Sequence, residues 1–325
     1  MKKKILITGG AGYIGQVIAW YLKKKNFIPI ILDRSSKKKI KQKRAYLTYN
    51  YNISEINKIL DNHKCDTIIH CASSNIVWES KNNPIKYYRS NVSDTIEMLS
   101  KAKKYKIKNI IYASSSSVYG DVRTNKKISE SENLSPISCY GRTKKMNEDI
   151  IKDFALSYNF NYIFLRLFNV SGAINNNDFF HGPSRNSTTA IARAVTLNSR
   201  NEKKKYLMSS TKIKKKKHAT PMRDFTHVED IAQAFFRSLV YLKKNKKNQI
   251  FNIGSGSDGI SVLDLIKKIE LVLNVKIPYS VSKKIDNIGY MVPDIQLAKK
   301  ILKYKPTSSS LENIIKSLDE WYKRK

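Results

Sequence analysis

A glycine-rich turn between an apolar strand and a helix is the feature that most constrains the fold of this chain. The segment 5–15 reads ILITGGAGYIG, and a second apolar segment at 27–32 is followed by Asp33. Glycines let the backbone approach a pyrophosphate, a helix N-terminus offers N–H donors, and a carboxylate accepts hydrogen bonds from ribose hydroxyls. The order strand, turn, helix, strand and Asp therefore predicts a dinucleotide site.

Asp33 also bears on which dinucleotide is bound. Its carboxylate would repel the 2′-phosphate of NADP, so the sequence favours NAD as the cofactor. Arg34 follows directly and could pair with such a phosphate, which keeps NADP as the alternative.

Strand and helix patterns alternate along the first half of the chain, as they do in βαβ units. They predict an α/β fold, a Rossmann-type doubly wound parallel sheet with a smaller C-terminal α+β substrate domain. The predicted strands are 5–8, 28–32, 67–70, 110–113 and 162–167. The predicted helices are 16–24, 55–62, 85–105, 141–157, 261–273 and 311–322, and segments 172–187 and 203–217 are read as loops.

The pattern also predicts where the domains begin and end. The NAD-binding domain is expected to cover 1–170, with a later contribution from about 221–256. The nucleotide-binding substrate domain is expected to cover 171–220 and 257–325.

Composition narrows the partners and the compartment. The 325 residues carry a formal net charge of +35, with lysines in every predicted helix. That spread favours a solvated basic surface over a specific nucleic-acid site, which is the alternative that such a charge raises. No apolar run has the length of a transmembrane helix. Cys65, Cys71 and Cys139 form no CxxC pair, and their odd number indicates a reducing, cytoplasmic compartment.

Other conspicuous residues receive structural roles. His70 ends a predicted strand and is expected to be packed and hydrogen-bonded, and His227 is expected to support structure. The histidines lack ligand spacing, so no metal site is expected. Trp20, Trp78 and Trp321 are expected to anchor the core or helices.

Tyr140 and Lys144 form the second strong chemical signal. Four residues apart on a predicted helix, they lie on the same face. An ammonium group near a phenol stabilises the phenolate and is expected to lower its pKa toward the range of a general base. The serine run 114–117 ends a predicted strand and places hydroxyl groups at the carboxyl edge of the sheet, where ligands bind in such folds.

Together these motifs resemble the extended short-chain dehydrogenase/reductases, and among them the UDP-glucose 4-epimerases. The resemblance covers nearly the whole length, and its first three motifs mark the superfamily. The RDF-x-HV element after RLFN narrows it to enzymes that act on nucleotide sugars. The motifs are TGGAGYIG at 8–15, SSSSVYG at 114–120, YGRTK at 140–144, RLFNV at 166–170, RDFTHV at 223–228 and the tail 254–294.

Site residues follow by position from this resemblance. It implies that Tyr140 is the base that removes the sugar 4-hydroxyl proton, that Ser115 relays this proton and that Lys144 tunes Tyr140. The implied cofactor site consists of Gly9, Gly12, Tyr13, Ile14, Gly15, Asp33, Asn52, Ile53, Cys71, Ala72, Asn91, Tyr140, Lys144 and Phe168. The implied substrate site consists of Ser115, Tyr140, Asn169, Asn186, Arg223 and Lys284.

Departures from the family pattern concentrate at the edges of these sites. Lys284 replaces an Arg, which keeps the charge and loses bidentate geometry, and Met291 occupies the position thought to gate N-acetylated sugars. Asn52 replaces an Asp beside the adenine. A lysine that usually follows the strand ending at His70 is absent.

The resemblance implies a reaction as well as a site. It implies NAD-dependent 4-epimerisation of a UDP-hexose, UDP-glucose or UDP-galactose, through a transient 4-keto intermediate, by a homodimer built on helices 85–105 and 141–157. The alternatives are a UDP-glucuronate epimerase or another nucleotide-sugar enzyme. A 4,6-dehydratase is disfavoured because Ser116 and Ser117 stand where an acid pair is needed. A noncatalytic NAD-binding scaffold or an RNA-associated protein is the alternative from another class.

Overall fold

A parallel β-sheet with helices on both faces organises most of the first 250 residues. The structure, a computed structural model, describes residues 3–34, 47–50, 53–122, 126–184, 187, 189–199, 205–210, 220–285 and 289–324. The strands are β1 (Lys4–Thr8), β2 (Ile28–Asp33), β3 (Leu47–Asn50), β4 (Thr67–His70), β5 (Asn109–Ser115), β6 (Asn161–Leu167), β7 (Asn169–Ser171), β8 (Ile174–Asn175), β9 (Phe180–His181), β10 (Tyr206–Ser210), β11 (Met222–Arg223), β12 (Phe225–His227), β13 (Gln249–Ile253), β14 (Ile260–Ser261), β15 (Tyr279–Ile285) and β16 (Tyr290–Met291).

Helices fill most of the segments between these strands. They are α1 (Tyr13–Lys24), α2 (Ile53–Asn62), α3 (Val77–Asn82), α4 (Pro84–Tyr87), α5 (Asp94–Lys104), α6 (Cys139–Tyr158), α7 (Ala190–Ser199), α8 (Val228–Asn245), α9 (Val262–Leu273) and α10 (Leu311–Lys323). Among the described residues, none of the helices is both long enough and apolar enough to cross a membrane.

The main sheet confirms the predicted Rossmann-type fold. Its described strands run in the order β13-β6-β5-β4-β1-β2-β3, and every pairing between them is parallel. The chain moves outward from β1 in one direction through β2 and β3, and then in the other direction through β4. This reversal leaves a crevice at the carboxyl ends of β1 and β4, which is where ligands bind in such sheets.

Alternating side chains along each strand bury both faces of the sheet. In β1, Ile5 and Ile7 join a core formed with α1 and α8, whereas Leu6 joins a second core formed with α2, α5 and α6. All three are fully buried. Near-continuous apolar strands of this kind are typical of a parallel sheet covered by helices on both sides.

A third core joins the helices that follow the sheet region. It is formed mainly by α7, α9 and α10 together with β10, which pairs in parallel with β15. As predicted, α9 starts directly after Ser261, whose hydroxyl caps the helix by accepting from the Asp264 N–H at 3.1 Å. The exact domain boundaries given above stay a prediction.

The helix predicted at 85–105 is confirmed: α4, a wider helical turn at Tyr88–Ser93 and α5 follow one another without a break. Two other local predictions were wrong. The predicted loop at 203–217 contains β10, in which Tyr206 and Met208 are buried. The predicted loop at 172–187 contains the short hairpin of β8 and β9.

Candidate active site

One large cleft contains most of the residues that the sequence singled out. Its volume is 1320 Å³, above the roughly 300–1,000 Å³ of a site for one drug-sized ligand. One wall consists of the carboxyl ends of β1, β4 and β5, and the other is supplied by segments of the third core. The predicted residues that line it are Gly9, Gly12, Tyr13, Ile14, Gly15, Asp33, Cys71, Ala72, Ser115, Tyr140, Lys144, Phe168, Asn169 and Arg223.

The glycine turn forms a backbone cradle at the start of α1. A Cβ atom on Gly15 would lie 2.3 Å from the Gly9 carbonyl oxygen, so only glycine fits this position without a rearrangement. Gly12 is the N-cap residue and has no side chain to accept from the first N–H groups of the helix. An uncapped helix N-terminus that faces a cleft suits a pyrophosphate, and the cradle therefore fits the predicted dinucleotide.

Asp33 lies beside this cradle at the end of β2. Its Oδ2 accepts a hydrogen bond from the Ala11 N–H at 3.0 Å, so the carboxylate is held at the turn. The neighbouring Arg34 lies 3.6 Å from Asp94 on α5, and both residues line the cleft. Tyr13 donates to the Gly172 carbonyl oxygen at 2.5 Å and so joins α1 to the segment that follows β7.

Tyr140 and Ser115 meet inside the cleft. Tyr140 lies in the first turn of α6, a helix that begins after the capping residue Ser138. A Cβ atom on Gly141 would lie 2.5 Å from the Ser117 carbonyl oxygen, so this glycine lets the helix approach the end of β5. The Tyr140 phenol is hydrogen-bonded to the Ser115 side chain. The two residues are 25 positions apart in the chain, and only the fold unites them.

Protonation of the tyrosine differs from the expectation. Burial raises the pKa of Tyr140 to about 12, and the hydrogen bond with Ser115 opposes this rise. The predicted lowering of the Tyr140 pKa was therefore wrong, because burial disfavours the charged phenolate more than its neighbours stabilise it.

Lys144 completes the group. Its Nζ lies 5.7 Å from the centre of the Tyr140 ring and 4.8 Å from that of Tyr112, and it donates to the Ala113 carbonyl oxygen at 2.8 Å. Burial lowers the pKa of Lys144 to about 8. The predicted catalytic residues thus converge at one point of the cleft, where they can hold and move a proton.

The loop after β4 lies between the glycine turn and Lys144. His70 is buried between Thr8 and Thr95, with ring-nitrogen-to-oxygen distances of 2.6 and 2.9 Å, which confirms its packed, hydrogen-bonded role. Burial lowers the pKa of His70 to about 3. The adjacent Cys71 lines the cleft, and burial raises the pKa of its thiol to about 12. Burial therefore favours the protonated thiol of Cys71 over the nucleophilic thiolate.

Asn91 was predicted to contact the dinucleotide, and the structure gives it internal partners. Its side chain accepts from the Ser74 N–H at 2.7 Å and donates to the Thr143 hydroxyl at 3.0 Å. Asn91 thereby joins the cofactor-side loop to α6 and does not line the cleft.

Two further predicted substrate residues, Asn169 at the start of β7 and Arg223 in β11, also line the cleft. The Asn169 amide donates to the Asp224 carbonyl oxygen at 2.8 Å, and Arg223 Nη1 donates to the Met222 carbonyl oxygen at 2.9 Å. Lys284 belongs to β15, and Ile53 begins α2. Asn52 and Asn186 lie outside the described residues.

Two cleft residues were missed by the sequence analysis. Trp78, expected to anchor the core or a helix, lies on α3, lines the cleft and is 60% exposed, whereas Trp20 and Trp321 are buried. The polar stretch 79–83 around Trp78 signals an exposed position. Arg193 lines the cleft from α7 and lies 5.1 Å from the centre of the Tyr206 ring. The sequence indicates this position because Arg193 is the one charged residue in the mainly apolar segment 190–197.

The described residues contain no group of three His, Cys, Asp or Glu side chains that could hold a metal ion. All three cysteines are free thiols.

Comparison with known proteins places these features in a family. A model described as the NAD dependent epimerase/dehydratase family matches residues 5–254. The chain is similar to the UDP-glucose 4-epimerase of Lactobacillus helveticus, with 29% identity over 98% of this chain and 97% of that protein. It is 30% identical to the UDP-glucose 4-epimerase of Pasteurella multocida, again over 98% and 97% of the two chains.

Solved structures agree over nearly the full length. A UDP-glucose 4-epimerase from Brucella ovis in complex with NAD is 27% identical, with a TM-score of 0.88 and coverage of 99% of this chain and 98% of that one. A UDP-glucose 4-epimerase from Bifidobacterium longum in complex with NAD⁺ and UDP is 25% identical, with the same TM-score and coverage. The fold, the glycine cradle and the full-length matches lead to one conclusion: the chain belongs to the NAD dependent epimerase/dehydratase family.

Proposed function

We propose that the protein catalyses the NAD-dependent 4-epimerisation of a UDP-hexose, interconverting UDP-glucose and UDP-galactose. The convergence of the Tyr140 phenol, the Ser115 hydroxyl and the Lys144 ammonium in one cleft carries this proposal. The same cleft holds a cradle for a pyrophosphate and two arginines on its far wall. Full-length relatives with this fold are named UDP-glucose 4-epimerases.

In the proposed mechanism, Tyr140 is the base. Its phenolate accepts the proton of the sugar 4-hydroxyl, directly or through Ser115, and returns a proton when the 4-keto sugar is reduced on its other face. Lys144 stabilises the phenolate as long as it stays protonated. Held by the glycine cradle and Asp33, NAD would supply a cationic ring that accepts hydride from the sugar and returns it.

Substrate binding is assigned to the far wall of the cleft. Arg223 and Arg193 provide guanidinium groups whose planar donor arrays suit a diphosphate. Rotation of the 4-keto sugar needs a firm hold on the nucleotide and a loose hold on the hexose. The predicted contacts of Asn169, Asn186 and Lys284 with the nucleotide belong to this proposal.

The decisive experiment incubates the purified protein with UDP-galactose and no added oxidant. We expect UDP-glucose to form, detected by chromatography or by a coupled glucose-specific assay. Tyr140→Phe should lower kcat by about 10²–10⁴-fold with NAD affinity nearly unchanged, because the loss falls on the proton transfer. Conversion of UDP-glucuronate alone, water loss from the sugar, or NAD binding without turnover would each reject the proposed reaction.

We also propose a homodimer formed through the helices of the main sheet domain. Ile85 on α4, Ile96 on α5 and Met146 on α6 expose apolar side chains, and both α4 and α5 pack against α6. Such a surface is typical of an interface. The free thiols agree with the reducing, cytoplasmic compartment that we propose for the enzyme.

A further inference from the structure

A buried ion pair lies beneath the catalytic residues. Glu148 is on α6, one turn beyond Lys144, and Arg166 is on β6; their side chains are 0% and 2% exposed. Arg166 Nη2 lies 2.7 Å from Glu148 Oε2, and Nε lies 3.0 Å from Oε1, so the contact is bidentate. The Ser114 hydroxyl donates to the same Oε1 at 2.6 Å.

This pair is the centre of a larger network that spans the sheet. Arg166 Nη1 donates to the Tyr119 hydroxyl at 3.0 Å and to the Glu130 carbonyl oxygen at 3.1 Å. The Tyr119 hydroxyl in turn donates to Asn252 Oδ1, on β13, at 2.6 Å. The network therefore connects α6 with β5, β6 and β13, beside the floor of the cleft.

Stability alone does not account for such a pair. A buried ion pair often contributes no more stability than apolar residues of the same volume, because desolvation offsets the attraction between the charges. Its geometry does specify an arrangement: Glu148 shares a helix with Tyr140 and Lys144, and Ser114 is the neighbour of Ser115. A bidentate contact between helix and sheet sets the position of α6 relative to β5.

The charge of Glu148 also acts on Lys144. Burial lowers the pKa of Lys144, whereas the negative charges of Glu148 and an ionised Cys71 would raise it. The other titratable groups that face Lys144 are His70, from β4, and Tyr112, from β5. His70 is buried and neutral and Tyr112 is a buried phenol, so the negative charge of this group is the Glu148 carboxylate that Arg166 pairs. On its other side Glu148 faces Arg166 and the Tyr162 phenol, both from β6.

We propose that Glu148, held by Arg166 and Ser114, is a positioning residue: it fixes the spacing of the Ser115 hydroxyl and the Tyr140 phenol and places a buried carboxylate one helical turn from Lys144. The inference rests on the proposed function of Tyr140 and Lys144. Glu148 itself is fully buried and does not line the cleft.

The test compares three variants over a range of pH. Glu148→Gln removes the charge and keeps the shape, and Glu148→Gln with Arg166→Met removes both charges so that no buried guanidinium is left unpaired. Asp149→Asn is the matched control, since Asp149 is the next carboxylate on α6, is half exposed and pairs with Lys145 at 3.0 Å. Turnover and NAD affinity are measured from pH 6 to pH 10, and folding is checked by thermal unfolding.

For the wild type we expect turnover to fall above about pH 8, where Lys144 loses its proton. Glu148→Gln should move this fall about one pH unit lower and, through the protonation of Lys144 alone, reduce kcat at pH 7 about twofold. Asp149→Asn should match the wild type in both respects. The double variant should recover thermal stability and still show reduced turnover, because the helix has lost its contact with the sheet.

Two results would overturn the inference. One is a pH profile of Glu148→Gln that coincides with that of Asp149→Asn. The other is full recovery of the wild-type turnover rate and pH profile in the double variant. That result would mean that Glu148 serves only to neutralise the buried Arg166. If the wild type turns over no nucleotide sugar, the proposed function fails separately. In that case the affinity for NAD, measured against pH, tests the inference. We expect this affinity to decline at a pH about one unit lower in Glu148→Gln than in the wild type. Identical pH dependences for the two proteins would reject the positioning role of Glu148.

Discussion

At the scale of single residues, burial is the strongest influence on the chemistry of the cleft. It raises the pKa of Tyr140 to about 12 and lowers that of Lys144 to about 8, so both groups are held toward their neutral forms. The Tyr-x-x-x-Lys spacing revealed the pair, but spacing carries no information on solvation. A phenolate at Tyr140 therefore needs positive charge nearby, which Lys144, whose protonated form Glu148 favours, and bound NAD would supply.

Trp78 provides a residue-scale prediction. It is the exposed tryptophan in a chain whose Trp20 and Trp321 are buried, so acrylamide should quench mainly its fluorescence. Because Trp78 lines the cleft, UDP-glucose added to the NAD-loaded protein should reduce the quenching constant. Trp78→Phe should abolish the ligand-sensitive component, and Trp78→Ala should raise KM about fivefold with kcat little changed. Unaltered quenching under saturating ligand, with binding verified by calorimetry, would contradict this placement.

At the scale of elements, the N-termini of the helices differ in whether a side chain caps them. The N-terminus of α1 is left uncapped toward the cleft, whereas α6, α8 and α9 are capped by side chains. A helix end without a cap in the protein is available for an anion. This contrast is consistent with α1 as the ligand-binding helix.

The glycine turn before α1 gives an element-scale prediction. Gly15→Ala should destabilise the fold by about 1–3 kcal/mol, because its Cβ would meet the Gly9 carbonyl at 2.3 Å and backbone cannot move aside easily. Gly12→Ala meets the same oxygen only at 3.2 Å, so it should change the melting temperature less and weaken NAD binding instead. Melting curves and NAD titrations of the two variants separate the effects, and equal melting temperatures would contradict the packing argument.

The cap of α8 gives a prediction for pH. His227 is buried, its Nδ1 accepts from the Glu229 N–H at 3.2 Å, and burial lowers its pKa to about 4. As pH falls from about 6.5 to 4, the unfolded imidazole takes up a proton that the folded one resists, so about 3 kcal/mol of stability is lost. His227→Asn keeps a capping oxygen and should flatten this part of the profile. Urea unfolding of the wild type and His227→Asn at pH 8, 6 and 4.5 tests this prediction. The same dependence of the free energy of unfolding on pH in both proteins would contradict it.

At the scale of the whole molecule, the direction of the chain through the sheet creates the site. The reversal of strand order between β1 and β4 opens the crevice, and β5 and α6 deliver the catalytic groups to it. Segments of the third core close the other side. The basic surface remains spread over many elements, in agreement with its interpretation as solvated charge.

The proposed dimer belongs to this scale. The chain has a mass of 37.4 kDa, so sedimentation should give twice this value for the wild type. Met146→Lys should shift the protein toward the monomer, because it places a charge among exposed apolar side chains of α4, α5 and α6. Leu271→Lys, on α9, is the control, because it places the same charge at a still more exposed apolar residue outside the surface. Dissociation by the control, or a monomeric wild type, would reject the interface.

Much of the fold and site followed from local patterns. The sequence showed the alternation of apolar strands and helices, the glycine turn before Asp33 and the Tyr140–Lys144 spacing, which are all properties of short segments. Such segments are predictive because side chains on one face recur every two residues in a strand and about every 3.6 residues in a helix. The features that the sequence did not predict depend on contacts between residues far apart in the chain, or lie in segments with weak hydrophobic periodicity. Leu47–Asn50 forms an edge strand in a polar region, and β10 is buried on one face only.

Contacts between distant segments decided the rest. The hydrogen bond of Ser115 with Tyr140, the burial that sets the pKa of Lys144, the exposure of Trp78 and the Glu148–Arg166 pair all depend on which surfaces meet when the sheet and helices pack. Local sequence specifies which chemical groups are present and which face of an element they occupy. Distance and solvation arise only after packing, because they belong to pairs of elements and to the space between them.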